Sequence, residues 1–138
     1  MSFEFPFEYG VIPGIGKLFY PVVRLQLKTV NGWKFTEFLV DTGADITTIP
    51  VKLLPVLGLQ QNTLPTSKTL GVGGVIINTW EFQLPIKLGK IEFSVMASAV
   101  ETKADSMPLL LGRKDIFETR FNLEINSQRK STIISENR

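Results

Sequence analysis

The sequence predicts an all-β domain that closes into a small β-barrel and contains one or two short helices. Long stretches alternate apolar and polar residues with period two, which is typical of half-buried strands. Glycines and an Asn-Gly pair separate these stretches as tight turns, and two short segments have apolar residues three or four apart. Because 138 residues are the length of one domain, we predict a single domain over residues 1–138, with an N-terminal arm at residues 1–20 and a C-terminal hairpin at residues 119–138.

Composition excludes several classes of mechanism. The chain has no cysteine and no histidine, which excludes Ser-His and Cys-His catalytic sites and zinc sites built on thiolate or imidazole. Acid–base chemistry would have to come from Asp, Glu, Lys or Tyr, and we expect no cofactor and no metal. The net charge is +2 with scattered Lys and Arg, so nucleic acid is not an expected partner. Since the sequence shows neither a signal peptide nor an apolar run that would span a bilayer, we expect no membrane partner and a cytoplasmic location.

The first predicted hairpin leads to a conspicuous acid. PVVRLQLKT (residues 21–29) alternates apolar and polar residues, and the following Asn31-Gly32 is typical of a type I′ turn, in which both central residues have positive φ. The returning strand, WKFTEFLV (residues 33–40), ends directly at Asp41. Since a buried carboxylate is costly unless a neighbour compensates it, Asp41 is either functional or a structural cap that hydrogen-bonds to the backbone where the strand becomes a turn.

A short helical segment and a glycine-tipped hairpin follow Asp41. Residues 50–59 have apolar residues three and four apart, with prolines that limit the length of the helix. LGVGGVIINT (residues 70–79) has two apolar arms around three glycines, which predicts a hairpin.

Two strands, a short helix and a last hairpin are predicted in the second half of the chain. EFQLPIKLG (residues 81–89) and IEFSVMASAV (residues 91–100) predict paired strands joined by a tight turn. The amphipathic RKDIFETR (residues 113–120) predicts a short helix in which Asp115 would be an acid of the first turn. FNLEINSQRKSTIIS (residues 121–135) predicts a final hairpin.

The first twenty residues leave three interpretations open. Phe3, Phe5, Phe7 and Tyr9 are spaced by two, which fits an edge strand, an interface arm or a segment removed by self-cleavage. GIGK (residues 14–17) is interpreted as a flexible approach to the first strand.

Three motifs point to a family. FLVDTGADITTIP (residues 38–50), LGVGGVII (residues 70–77) and PLLLGRKDIF (residues 108–117) occur in this order and with these spacings. Together they resemble the retropepsin-like aspartic proteases, the family of the retroviral proteases and of their cellular and bacterial relatives. The resemblance covers residues 21–117 and implies that the predicted fold is the small closed barrel of the retropepsin-like acid proteases.

The resemblance implies roles for the Asp-Thr-Gly triplet and the glycine-tipped hairpin. Asp41 is implied as the catalytic aspartate, Thr42 as the residue that ties two catalytic loops together, and Gly43 as backbone that contacts the substrate. Residues 69–78 are implied as a flap that closes over a bound peptide. The expected substrate-binding residues are Ala44, Asp45, Ile46, Val72, Gly73, Gly74, Val75 and Leu110.

The third motif is implied as structural support. Leu110-Leu111-Gly112 is similar to the apolar-apolar-glycine motif that packs behind the catalytic loop in the family. Arg113 resembles the arginine that pairs with the second acid of the loop, so Asp45 and Arg113 are expected to form a structural pair.

The family mechanism needs two aspartates, whereas this sequence has one Asp-Thr-Gly triplet. Asp45, Asp105 and Asp115 lie in no matching context, so a symmetric homodimer is expected in which each chain contributes Asp41. Two carboxylates in contact cannot both ionise, so one would keep its proton while the other activates a water for attack on the peptide carbonyl. The expected function is a homodimeric aspartic endopeptidase acting on extended peptides with apolar side chains near the scissile bond. The alternative is a non-catalytic peptide-binding or dimerisation module with the same fold.

Overall fold

Strands make up most of the molecule. This computed structural model describes residues 1–70, 72–102 and 107–137. The strands, numbered in chain order, are β1 (Ser2–Pro6), β2 (Glu8–Ile12), β3 (Gly16–Tyr20), β4 (Val22–Thr29), β5 (Gly32–Val40), β6 (Thr47–Pro50), β7 (Thr66–Leu70), β8 (Ile76–Leu88), β9 (Ile91–Val100), β10 (Leu110–Leu111), β11 (Phe121–Asn126) and β12 (Ser131–Glu136).

A seven-stranded sheet closes on itself around the core. Its order is β4-β5-β10-β6-β9-β8-β7, and β4 also pairs with β8 through Gln26↔Lys87 and Leu27↔Ile86. β10 runs parallel to β5 and antiparallel to β6, and β6 runs parallel to β9. The all-β prediction is confirmed, and the β4–β8 pairing completes a ring of strands that leaves β7 outside it.

Period-two alternation places the apolar face of each strand inside this ring. In β4, Val23, Leu25 and Leu27 are at most 3% exposed, whereas Arg24 between them is exposed. Fully burying one such side chain contributes about 1.5–3 kcal/mol. Since a slip of one residue would turn every apolar side chain outwards, the core fixes the register of the β4–β5 hairpin and hence the point at which β5 reaches Asp41.

The β4–β5 hairpin has its turn one residue earlier than predicted. Thr29 pairs with Gly32, so the two turn residues are Val30 and Asn31, and neither has positive φ. The Thr29 hydroxyl donates to the Gly32 carbonyl at 2.7 Å and accepts from the Asn31 N–H at 3.1 Å. This side-chain-supported turn replaces the type I′ turn expected from the Asn-Gly pair.

The segments of helical structure are short. Residues 50–59 contain 3-10 turns at Val51–Leu53 and Pro55–Leu57, and a further turn of this kind lies at Gln61–Thr63. The turn at Val72–Gly74 is not regular, because the φ of Gly73 is non-helical. None of the helices in the part of the chain that the structure describes has the length and apolar character required to cross a membrane.

The prediction of a helix at residues 113–120 is wrong. This segment is a series of turns in which Asp115 has a left-handed φ of 65°. The Asp115 carboxylate accepts a hydrogen bond from the Met96 N–H of β9 at 2.9 Å. A right-handed helix does not contain residues with a left-handed φ, so Asp115 is not an acid in the first turn of a helix. Its carboxylate instead makes a tertiary contact.

The N-terminal segment takes part in two separate pairings. β1 pairs antiparallel with β12, which also pairs with β11. Phe3 and Phe5 of β1 pack against the core. Residues 2–6 are therefore an edge strand. β2 and β3 form a separate hairpin, and Phe7, directly before β2, stacks on Phe19 of β3 with their ring centroids 4.1 Å apart. The interpretation of residues 14–17 as a flexible approach is wrong, because they turn this hairpin and begin β3.

Candidate active site

Asp41 stands where a buried strand becomes a tight turn. β5 ends at Val40, which is 7% exposed and lies opposite Leu111 of the parallel strand β10. The Val40 N–H donates to the Pro21 carbonyl at 2.9 Å, and the Asp41 N–H donates to the Leu111 carbonyl at 3.0 Å. Hydrogen bonds to two different segments therefore fix the backbone from which the Asp41 side chain extends.

The turn uses one oxygen of the Asp41 carboxylate. Oδ1 accepts from the Gly43 N–H at 2.9 Å, and the Asp41 carbonyl accepts from the Ala44 N–H at 3.1 Å. This is the hydrogen bond expected of a structural cap. Oδ2 makes no hydrogen bond to the residues that the structure describes, and Asp41 is partly exposed. One carboxylate oxygen is therefore available for a ligand.

Thr42 and Gly43 form the exposed tip of this turn. The Thr42 carbonyl accepts from Nη1 of Arg113 at 2.6 Å, whereas the Thr42 hydroxyl makes no hydrogen bond within residues 1–70, 72–102 and 107–137. A Cβ atom on Gly43 would lie 3.2 Å from Oδ1 of Asp41, so a side chain at this position would crowd the carboxylate.

Arg113 connects the turn after Asp41 to the segment that follows β10. Its guanidinium donates to the Thr42 carbonyl and forms an ion pair with the Asp45 carboxylate, and its backbone N–H donates to the Ala44 carbonyl at 3.1 Å. Since the Asp45 side chain is 84% exposed, the ion pair itself contributes only about 0–1 kcal/mol to stability. The main effect of these contacts is to fix the shape of the turn.

Gly112 allows two backbone segments to approach closely. Its N–H donates to the hydroxyl of Thr47, a fully buried residue, at 3.1 Å. A Cβ atom on Gly112 would lie 2.5 Å from the carbonyl carbon of Ile46 and 2.8 Å from the backbone nitrogen of Thr47. The contact between β10 and the loop that follows Asp41 therefore requires glycine.

The glycine-tipped hairpin is built from β7 and the first part of β8. At its tip, Gly73 and Gly74 have φ values of 83° and 79°, which favour glycine. Val75 beside them is 61% exposed. Within the predicted flap, Gly71 and the side chain of Val72 lie outside the part of the chain that the structure describes.

A cavity of about 510 Å³ lies between this hairpin and the turn after Asp41. Of the predicted substrate-binding residues, Ala44, Asp45 and Ile46 line it. Gly73, Gly74, Val75 and Leu110 do not line it. Leu110 is paired on both sides within the main sheet.

Polar side chains that the sequence does not single out also line the cavity. They include Ser67 on β7, Thr79 and Glu81 on β8, and Ser98 on β9. Oε2 of Glu81 accepts from the Ser98 hydroxyl at 3.0 Å, while Oε1 is buried and has no hydrogen-bond partner in the described part of the chain. The alternation of residues 80–84 is enough to turn Glu81 away from the core, but it does not show that three strands converge around the carboxylate.

Neighbouring hydroxyls keep Glu81 ionised. Burial alone raises the pKa of the Glu81 carboxyl, but the hydrogen bond from Ser98 and the nearby hydroxyls of Ser67 and Thr79 favour the ionised form and together outweigh burial. The pKa therefore lies below its ordinary value, and the carboxylate carries its charge in neutral solution.

The fold is that of the retropepsin-like aspartic proteases. It is similar to a retropepsin-like aspartic protease from Rickettsia conorii, with a TM-score of 0.62 and 18% identity over 97% of this chain and 92% of that chain. It is also similar to the retroviral protease-like domain of Ddi1 from Leishmania major, with a TM-score of 0.58 and 14% identity over 86% of this chain and 94% of that chain.

A sequence model of the family described as aspartyl protease matches residues 28–114, which is more than half of the chain. The chain therefore belongs to the aspartyl protease family, and the resemblance inferred from the three motifs is confirmed. Curated proteins provide no match to the sequence.

Proposed function

We propose that this chain is a homodimeric aspartic endopeptidase in which two Asp41 carboxylates, one from each chain, activate water for peptide hydrolysis. The observation that carries this proposal is the state of Asp41. It lies within the segment matched by the family, at the end of a buried strand, and its Oδ2 makes no hydrogen bond to the described residues.

The second carboxylate is expected from a second copy of the chain. Among the aspartates that the structure describes, Asp45 is paired with Arg113, and the Asp115 carboxylate accepts a backbone hydrogen bond from β9. Both are thus engaged elsewhere. A two-fold axis beside the exposed turn would bring two Asp41 residues together and give the free Thr42 hydroxyl a partner on the other chain.

The chemistry of such a pair balances without a metal or a nucleophilic side chain. One Asp41 carboxylate takes a proton from water as the water oxygen bonds to the peptide carbonyl carbon, and the protonated partner gives its proton to the carbonyl oxygen. In the resulting diol the nitrogen takes the proton from the first Asp41, and the C–N bond breaks as a diol hydroxyl returns its proton to the second Asp41, so the pair again holds one proton. Because two adjacent carboxylates cannot both ionise, they titrate as a unit.

An extended peptide would lie between the turn after Asp41 and the glycine-tipped hairpin. Ala44 and Ile46 offer one wall of this groove, and residues 69–78 are proposed to cover it as a flap. The exposed Val75 and Ile76 supply apolar contact surface on the hairpin.

Asparagine at position 41 is expected to abolish peptide cleavage. The wild-type chain should cleave members of a diverse peptide library between about pH 4 and 7, the range over which a coupled carboxylate pair can hold one proton. Asp41→Asn keeps an oxygen that can accept from the Gly43 N–H but cannot act as a base. Asp115→Asn is the matched control, because asparagine tolerates left-handed φ and can accept from the Met96 N–H, so its cleavage should equal that of wild type.

Other outcomes of this experiment discriminate between the two candidate functions. Equal cleavage by wild type and Asp41→Asn would overturn the aspartic mechanism. Absence of cleavage by both, from protein shown to be folded by circular dichroism and dimeric by sedimentation, would favour the non-catalytic peptide-binding or dimerisation module.

Arg113→Lys is expected to reduce kcat/KM by about tenfold or more while changing the free energy of unfolding by no more than about 1 kcal/mol. A lysine ammonium cannot reproduce the planar fork that reaches both the Thr42 carbonyl and the Asp45 carboxylate. Peptide cleavage kinetics and urea unfolding of the same preparation would measure the two effects.

Arg129→Lys is the matched control for this loss. Arg129 also forms an exposed ion pair, with Glu4 in the three-stranded sheet. Its substitution should affect stability to a similar extent and leave cleavage unchanged. Equal cleavage by the two lysine variants would show that Arg113 does not position the turn after Asp41.

A further inference from the structure

Three strands give the cavity beside the Asp41 turn a polar wall. Ser67 on β7 lies opposite Thr79 on β8, and Glu81 on β8 lies opposite Ser98 on β9. Residues two apart on a strand, and residues opposite each other on neighbouring strands, share one face of a sheet. All four side chains therefore belong to one surface, which faces the cavity of about 510 Å³.

Glu81 is the acid of this surface that no ion pair among the described residues neutralises. Asp45, the other acid that lines the cavity, is paired with Arg113, whereas Glu81 belongs to neither of the ion pairs among the described residues. Lys68 also lines the cavity but does not form an ion pair with Glu81. The pKa of Glu81 lies below its ordinary value, so the charge persists at neutral pH.

Only one oxygen of the Glu81 carboxylate receives a hydrogen bond from the described residues. Oε2 receives the Ser98 hydroxyl, but Oε1 is buried and unpartnered among the residues that the structure describes. A partly buried carboxylate with an incomplete set of donors is unfavourable, and a cationic group in the cavity would stabilise its charge. The volume of the cavity is within the range of sites that hold small molecules, so a long side chain can enter it.

We propose that this cavity is a subsite for a basic side chain of the substrate, lysine or arginine, and that Glu81 selects it. The ammonium or guanidinium group would neutralise the Glu81 carboxylate from the cavity, while the hydroxyls of Ser67 and Thr79 accept N–H groups. This inference rests on the proposed function, because it treats the cavity as part of the peptide-binding groove. It adds one charged position to the apolar side chains expected near the scissile bond.

Substitution scanning of a cleaved peptide tests the selection. A peptide that the wild type cleaves is varied one position at a time to lysine, arginine and norleucine. At one position, lysine and arginine should raise kcat/KM by about tenfold or more over norleucine. In Glu81→Gln, which keeps an acceptor for the Ser98 hydroxyl but loses the charge, this ratio should fall to about one.

Glu92→Gln is the matched control for the charge itself. Glu92 is an exposed glutamate of β9 that is not among the residues lining the cavity, so its substitution should keep the wild-type ratio. An unchanged ratio in Glu81→Gln, or a wild type that prefers lysine and arginine at no position, would overturn the subsite and leave the endopeptidase proposal standing.

Peptide binding to Asp41→Asn tests the subsite without turnover. Fluorescent peptides that differ only by lysine or norleucine are compared by anisotropy on Asp41→Asn and on Asp41→Asn/Glu81→Gln, both verified as folded by circular dichroism. The lysine peptide should bind Asp41→Asn about tenfold more tightly or better, and the difference should vanish in the double variant. Absence of the difference in Asp41→Asn overturns the subsite. If Asp41→Asn binds the lysine peptide more tightly but the wild type cleaves no peptide, the subsite proposal stands and the endopeptidase proposal fails.

Discussion

Replacing Gly112 by alanine is expected to lower the free energy of unfolding by about 3 kcal/mol or more. The new Cβ atom would lie 2.5 Å from the carbonyl carbon of Ile46 and 2.8 Å from the backbone nitrogen of Thr47. These are backbone atoms, which cannot rotate away as a side chain does, so β10 and the loop after Asp41 would have to separate. Separation also breaks the buried hydrogen bond from Gly112 to Thr47. Urea unfolding followed by circular dichroism, at one protein concentration for all variants, would measure the loss.

Gly10→Ala supplies the comparison for this experiment. A Cβ atom on Gly10 would lie 3.0 Å from the ring of Tyr20, which is a side chain and can move by a few tenths of an ångström. Its free-energy change should stay within about 1 kcal/mol. If Gly112→Ala and Gly10→Ala unfold at the same urea concentration, the close approach of the two backbone segments is not required for stability.

The position of Asp41 was predictable because it depends on a local pattern. Alternation along β5 buries Phe38 completely and leaves Val40 7% exposed, so the strand must deliver residue 41 at the edge of the core. The hydrogen bond from Gly43 to Asp41 occupies Oδ1 alone, so this structural role leaves Oδ2 for the role proposed above.

The N-terminal hairpin was not predictable from alternation, because contacts of aromatic rings across it stabilise it. Phe7 stacks on Phe19, and the Lys17 ammonium lies 4.3 Å from the centroid of the Tyr9 ring. Each pair joins residues at least eight positions apart. Glycines between such strands are compatible with either a flexible segment or a turn, and only the pairing decides between the two.

The segment after Arg113 was misjudged for a different reason. Its amphipathic spacing is real, since Ile116 is 2% exposed and packs in the core. The contact of Asp115 with the backbone of β9 overrides local helix propensity. Glu81 was missed for a similar reason, because its surroundings come from β7 and β9 as well as from its own strand. Tertiary contacts of this kind leave no periodic signal in the sequence.

An excess of Asp41→Asn is expected to inactivate wild-type chains when subunits exchange. If the active site needs one Asp41 from each chain, a mixed dimer has a single carboxylate and no partner to share its proton. Random pairing then makes the active fraction the square of the wild-type fraction, so a ninefold excess of Asp41→Asn should lower cleavage per wild-type chain about tenfold. Cleavage is measured at saturating peptide after prolonged mixing, and exchange is verified by co-purification with an affinity-tagged wild-type chain.

Mixing wild type with Asp115→Asn is the control for this experiment. It measures whether adding a second variant chain lowers cleavage when both Asp41 carboxylates are still present. Asp115 accepts a hydrogen bond from Met96, so it has a role of its own in the fold. Mixed dimers that carry Asp115→Asn keep two Asp41 residues and should cleave at the wild-type rate per chain. If cleavage per wild-type chain is also unchanged by exchanged Asp41→Asn, a single chain must hold a complete site, and the dimeric proposal fails. Loss of cleavage with Asp41→Asn but not with Asp115→Asn would instead assign the second carboxylate to the partner's Asp41.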